Sequence, residues 1–202
     1  MVRALLDGTK TQTRRDCKPM NAWVDQECRE VRMVDGAPHH FLKGATEPME
    51  KLRCPYGQPG DRLWVRETWA QPAALDPGPT VYRADYPACV PRGYTNIPPA
   101  DEITWKPSIH MPRIASRILL EVVSVRVERL QDISEADAKA EGITPHEVRQ
   151  FMIFGLSPAE RAAIYRDAAV GPYRGLWQQI NGACSWDANP WVWVVEFRRV
   201  AS

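Results

Sequence analysis

The run Trp191-Val192-Trp193-Val194-Val195-Glu196-Phe197-Arg198-Arg199-Val200 decides the architecture. It follows Asn189-Pro190, a turn signal, and is apolar at every position through Val195. A strand with one wet face alternates apolar and polar residues, whereas one apolar on both faces belongs in the middle of a sheet. Working outward, Arg117–Leu130 is the longest other strand candidate, with Val123, Val125 and Val127 set against Ser124, Arg126 and Glu128. Arg62–Trp69 reads as a strand behind the turn Pro59-Gly60-Asp61. Thr80–Ala84 reads as a short strand between proline-rich loops at 71–79 and 86–100. At the start, residues 1–8 form one or two helical turns and 10–17 an extended segment.

Helices occupy the stretch before the closing strand. Ser134-Glu135-Ala136-Asp137 resembles a capping box, opening a helix that Gly142 closes. Thr144-Pro145 and Ser157-Pro158-Ala159-Glu160 open two more, the latter with proline at the first helical position. Pro172–Asn181 is the last, with Leu176, Trp177 and Ile180 on one face. The order is helix, strands, helices, strand. Without βαβ alternation a doubly wound parallel sheet is excluded. The expectation is an α+β fold, a mixed and mostly antiparallel sheet curled into a small barrel with helices packed around it. The 202 residues suit one domain, 1–202, with a loop-rich insertion at about 18–57 and a helical insertion at about 134–182.

Composition narrows the function classes. A hydrophobic fraction of 44% and eight tryptophans exclude a disordered chain. A net charge of +1 excludes a globally basic nucleic-acid coat. Arginine nonetheless dominates the cations, with only six lysines among 26 Lys and Arg, and guanidinium suits planar contacts to phosphate and carboxylate. Five cysteines without a C-x-x-C point to a reducing cytoplasm. No run reaches membrane-spanning length, so no membrane partner is expected. Cys17, Cys28, His39, His40 and Cys54 have the right chemistry for zinc, but their spacings match no familiar finger. No metal and no cofactor are expected.

Chemistry concentrates at Gly8-x-Lys10-Thr11-x-Thr13-x-Arg15. Gly8 stands where the first helix would stop with φ > 0. The run then delivers an amine, two hydroxyls and a guanidinium at a helix-to-strand junction. Read as residues alone, Lys10 and Arg15 are better taken as solvated charges, Thr11 and Thr13 as strand formers and Glu141 as an ordinary helix-end acid.

Four segments resemble the ASCH family, a branch of the PUA-like β-barrel superfamily associated with RNA. They are Gly8-x-Lys10-x-x-Thr13-x-Arg15; Gly60-Asp61-Arg62-Leu63; Leu130-Gln131-Asp132-Ile133 with Ala140-Glu141-Gly142; and the closing Trp193-Val194-Val195-Glu196-Phe197. They span almost the whole chain, and its length is similar to that of phage and prophage members. Relatives of this type carry a short strand ahead of the first helix, whereas this sequence begins on the helix, so either the sheet lacks one strand or this start is a downstream methionine.

The resemblance implies a pocket like that of small amidohydrolases that deacetylate N-acetylcytidine, with Lys10, Thr13 and Glu141 as catalytic residues. An amide requires a nucleophile and a group to take its proton. A threonine hydroxyl needs a neutral base within about 3 Å, and a lysine is one only when burial or nearby cations lower its pKa. A carboxylate touching Lys10 works against this, so Glu141 is expected to sit closer to substrate or Thr13. Positions 10 and 13 also face opposite sides of a regular strand, so a turn or bulge near Thr11 is required.

Arg15, Glu67, Trp69, Trp105 and Arg113 are candidates for substrate binding. Glu67 is an alternative acid, and Arg113, after His110 and Pro112, suits a phosphate. Trp64, Trp69, Trp105 and Tyr82 are candidates to stack a base, with Trp69 or Trp105 expected in the pocket. Three functions remain open at this point: hydrolysis of an N-acyl group on a cytosine-type base, binding of RNA or a modified base without catalysis, and ribonuclease activity. Nucleoside or RNA is the expected partner in each.

Overall fold

A computed structural model describes residues 1–17, 29–35, 37–75, 78–143 and 169–200. In chain order the elements are α1 (Val2–Leu6), β1 (Gln12–Asp16), β2 (Arg29–Val34), β3 (Ala37–Leu42), β4 (Glu50–Lys51), β5 (Arg62–Trp64), β6 (Trp69–Ala70), β7 (Val81–Tyr82), β8 (Leu119–Arg129), α2 (Glu135–Ala140), α3 (Val170–Asn181) and β9 (Trp191–Val200). The helices expected from Thr144 and Ser157 lie outside the described residues, as does the 18–28 part of the first insertion.

The fold is mixed α+β, and every described strand pairing is antiparallel. The main sheet has the order β1-β9-β8-β5 and curls into a half-barrel. Its edges, β1 and β5, are not neighbours, so this sheet is open where a closed barrel was expected. Residues 29–51 form a separate three-stranded sheet, β2-β3-β4.

The two apolar faces of β9 feed two different cores. Val192 and Val194, both fully buried, pack with Leu130, Ile133, Ala138, Tyr173 and Trp177 from the side of α2 and α3. Trp193 and Val195 pack with Cys17, Leu52 and Val122, where Val31 of β2 also arrives. A strand buried between two layers has no place for a polar face, which is why its first five residues are all apolar. A third cluster holds α1 on the sheet, with Leu5 against Ile118, Leu120 and Phe197.

Two expected strands are modified by local chemistry. In β8 the register slips between Val122 and Ser124, a bulge that adds one residue. Val122 therefore turns inward at 1% exposure and Val123 outward at 51%, breaking the alternation expected of Val123, Val125 and Val127. The strand expected over Arg62–Trp69 is interrupted after Val65, whose N–H still donates to the Ile118 carbonyl at 3.0 Å. Glu67 then points inward and is gripped by Arg117 through two hydrogen bonds of 3.0 and 2.9 Å. Arg117 holds Asp85 as well, at 2.7 Å. A buried carboxylate requires such a partner, and satisfying it takes the backbone out of the ladder before β6 pairs with β7.

Helix α2 starts as its sequence implies. Ser134 accepts from the Asp137 N–H, and the Asp137 carboxylate reaches back to the Ser134 N–H, completing a capping box. Asp137 also binds Gln12 of β1 at 2.8 Å and Arg126 of β8 at 3.0 Å, and Arg14 approaches it at 3.2 Å. One carboxylate thus ties the helix to two strands. Burial pushes its pKa up, but the hydrogen bonds from Gln12 and Ser134 and the charges of Arg14 and Arg126 outweigh this and hold it at about 2. A depressed carboxylate stabilises the fold above its unfolded value of 3.8, and that contribution is lost as pH falls toward about 2. Urea titrations at stepped pH should therefore show the wild type losing stability across this window, with the loss reduced in Asp137→Asn, which starts less stable at neutral pH.

Candidate active site

The turn after α1 brings Lys10 into register with the end of α2. Gly8 takes φ +72°, a left-handed conformation that stops the helix without a Cβ penalty. The Lys10 N–H then donates to the Ala4 carbonyl at 3.0 Å, and the Thr11 N–H to the Ala140 carbonyl at 2.8 Å. The Thr11 carbonyl in turn accepts from the Phe197 N–H at 2.9 Å. The chain passes from α2 to β9 within one residue, and Lys10 forms an isolated antiparallel bridge with Glu141. Regular strand begins only at Gln12. This handover resolves the facing problem of positions 10 and 13.

Among the described strands β1 pairs with β9 alone. The contacts of Thr11 with Phe197 and of Cys17 with Trp191 direct the odd-numbered backbone groups toward β9. Antiparallel geometry then turns the even-numbered N–H groups to the free edge. There the Arg14 N–H donates a short hydrogen bond to Glu141 Oε1. Glu141 Oε2 accepts from Lys10 Nζ at 2.6 Å, and the same amine donates to the Glu141 backbone carbonyl at 2.8 Å. Glu141 is the C-cap of α2, so Lys10 places a cation at a helix C-terminus, where the exposed carbonyls favour it.

Both side chains of this pair are 6% exposed. Burial drives the Lys10 amine below its ordinary value, opposed by Glu141 and assisted by the charge of Arg15. Burial drives the Glu141 carboxyl up, opposed by Lys10 and the Arg14 N–H. Burial thus moves the amine's titration down and the carboxyl's up, each against the attraction of its charged partner. The expected separation of Glu141 from Lys10 is not found: they are in direct contact, and desolvation rather than distance brings the lysine pKa down.

Lys10, Thr13, Arg14, Arg15 and Glu141 open onto one cleft of about 190 Å³, walled on its far side by Tyr173, Leu176, Trp177 and Ile180 of α3. The three residues expected to be catalytic therefore share a cavity. Neither the Thr13 hydroxyl nor the Arg15 guanidinium has a hydrogen bond or ion pair among the described residues. The cleft wall was expected to be tryptophan from the strands, and that expectation does not hold. Trp69 is buried against Met111 and Ala115, with Lys106 over its ring, while Trp105 stacks edge-on with Tyr86. Glu67 belongs to the Arg117 ion pair, and Arg113 lies exposed near the Trp64 ring. None of these four lines the cleft.

Sequence reasoning did not assign Tyr173 and Trp177 to the site. Their signal was present, because positions 173, 176, 177 and 180 form one face of a helix. The buried part of that face is Tyr173 and Trp177, whereas Leu176 and Ile180 are 39% and 62% exposed above the cleft. Burial and the nearby Glu141 raise the Tyr173 phenol, so it is a neutral donor in this wall. Among the described residues no three His, Cys, Asp or Glu side chains gather for a metal ion, and Cys28 lies outside them. No described helix is long and apolar enough to cross a membrane. No protein-family model, curated protein or solved structure matches the chain.

Gly142 sets the distance between the two halves of the pair. It takes φ +89°, and a Cβ there would lie 3.1 Å from both the Lys10 Cβ and the Ala4 Cβ. Gly142→Ala is expected to cost more than about 1 kcal/mol, through the forbidden φ and the displaced lysine, read as a lower urea midpoint. Lys10→Met strands a buried carboxyl and should cost about 3–5 kcal/mol near neutral pH. The double variant Lys10→Met/Glu141→Gln should lose much less than the sum of its singles in the same titration.

Proposed function

We propose that the cleft hydrolyses an N-acyl amide on a modified cytosine-type base, in the manner of the N-acetylcytidine amidohydrolases that the ASCH-like segments resemble. The observation that carries this reading is the meeting in one cavity of a desolvated lysine, its carboxyl partner and a threonine hydroxyl that has no hydrogen bond among the described residues. The cavity's size supports a small ligand. About 190 Å³ is below the ~300–1,000 Å³ typical of drug-sized sites, and suits a base and its acyl group better than an oligonucleotide.

In this mechanism neutral Lys10 accepts the Thr13 proton as Oγ attacks the acyl carbon. Collapse of the tetrahedral adduct breaks the C–N bond, and the protonated Lys10 returns that proton to the leaving exocyclic amine. Water then cleaves the acyl-threonine ester, releasing the carboxylic acid and restoring the hydroxyl. Glu141 fixes the amine's position and takes up the proton that Lys10 must shed to act as base. Leu176 and Ile180 would cover the face of the base.

Incubation with N-acetylcytidine should release acetate and cytidine, with kcat falling at least a hundredfold in Lys10→Ala and Thr13→Ala. Because burial lowers the lysine pKa, kcat/KM should rise with pH along a limb centred below 10.5 as the neutral amine accumulates. A second reading has one observation in its favour. The Lys10 amine already donates twice to Glu141, as it would in a binding module without chemistry. N-acetylcytidine bound tightly and recovered intact after long incubation would select that reading.

A further inference from the structure

The geometry points to a phosphate-bearing ligand: the cleft takes a nucleotide, with Arg15 as its phosphate contact, rather than an uncharged nucleoside. This inference deepens the proposed function and rests on its assignment of the cleft to a nucleobase. Arg15 is half-buried in the cleft wall, and a guanidinium withdrawn from water needs an anionic partner to offset its desolvation. It has none among the described residues, unlike Arg14, Arg117 and Arg126, each of which is held by two or three carboxylates. Of the two carboxylates on the cleft, Glu141 is occupied by Lys10 and the Arg14 N–H, and Asp16 follows Arg15 on the opposite face of the pleat.

The arrangement along β1 sets the spacing. Thr13 and Arg15 stand two residues apart on one strand face, about 7 Å along the chain, and the long arginine side chain extends that reach. The cleft thus gathers Lys10, Thr13 and Glu141, an apolar shelf at Leu176 and Ile180, and the Arg15 cation. A flat base bearing an acyl group and a phosphate carries groups complementary to these three. Guanidinium and phosphate form paired N–H···O bonds, which makes this the natural anion for the site.

Calorimetric titration with cytidine, cytidine 5′-monophosphate, cytidine 3′-monophosphate and a short cytidine-containing oligonucleotide tests this without requiring turnover. The expected result is at least tenfold tighter binding of one monophosphate than of cytidine at low salt. That preference should disappear in Arg15→Gln and persist in Arg198→Gln, an equal loss of charge on an exposed residue paired with Glu121. A stronger gain with the oligonucleotide than with either monophosphate, also lost in Arg15→Gln, assigns the phosphate to an RNA strand and supports the inference equally. Equal affinity for cytidine and all phosphorylated probes overturns it, as does a preference that survives Arg15→Gln. Hydrolysis of N-acetylcytidine with no phosphate preference would refute this inference while leaving the amidohydrolase reading intact. Phosphate preference without any hydrolysis would do the reverse.

Discussion

The structure around the cleft depends on one buried ion pair. Lys10 and Glu141 stand 131 residues apart in sequence and meet at 2.6 Å, with almost no water to screen them. Removing two such groups from water is costly, and direct attraction alone offsets that cost poorly. Here the surroundings add partners. The amine also serves a helix-terminal carbonyl, and the second carboxylate oxygen takes the edge-strand N–H of Arg14. Each atom of the pair therefore closes a backbone end that would otherwise be left without a partner, one at α2 and one at β1. The same desolvation that makes the pair expensive lowers the amine's pKa and raises the carboxyl's.

A second layer of charge surrounds the pair, joined to it through Arg14, whose N–H binds Glu141. Arg14 turns to the Gln12 side of β1 and joins Glu128 and Asp137, and Arg126 bridges Glu128, Asp137 and Glu196. This network fixes α2 against β1 and β8, and so fixes Glu141 against Lys10. Arg15, one position further along the strand, falls on the opposite face and escapes the network. Strand periodicity separates a structural arginine from an available one within two consecutive residues.

Local patterning was readable over much of the chain. The all-apolar start of β9 marked a central strand, the Ser134 capping box marked the start of α2, and Gly8 and Gly142 marked its turns. Reading failed where a side chain found a partner far away. Val123 was placed on the wrong face because a bulge carries no clear sequence signature, and Arg62–Trp69 was read as unbroken because nothing nearby announces that Glu67 will be claimed by Arg117. Trp69 and Trp105 were expected in the pocket on chemistry alone, but Trp69 fills a core from the short strand β6 and Trp105 packs partly buried beside Tyr86. The cleft's aromatic wall came instead from α3, whose helical spacing was visible but whose packing partner was not.

Short-range physics settled the kinds of element and their ends, because periodicity, capping and left-handed glycines act within a few residues. Those same rules placed an amine and a hydroxyl in one local setting and a carboxylate in another, with no statement that they meet. Their convergence depends on β9 pairing with β1 on one side and β8 on the other, while the segment after β8 folds α2 back over the free edge. Burial, the lowered lysine pKa and the lack of an ion-pair partner for Arg15 among the described residues follow from that long-range assembly, since each is a property of surroundings that distant parts of the chain supply.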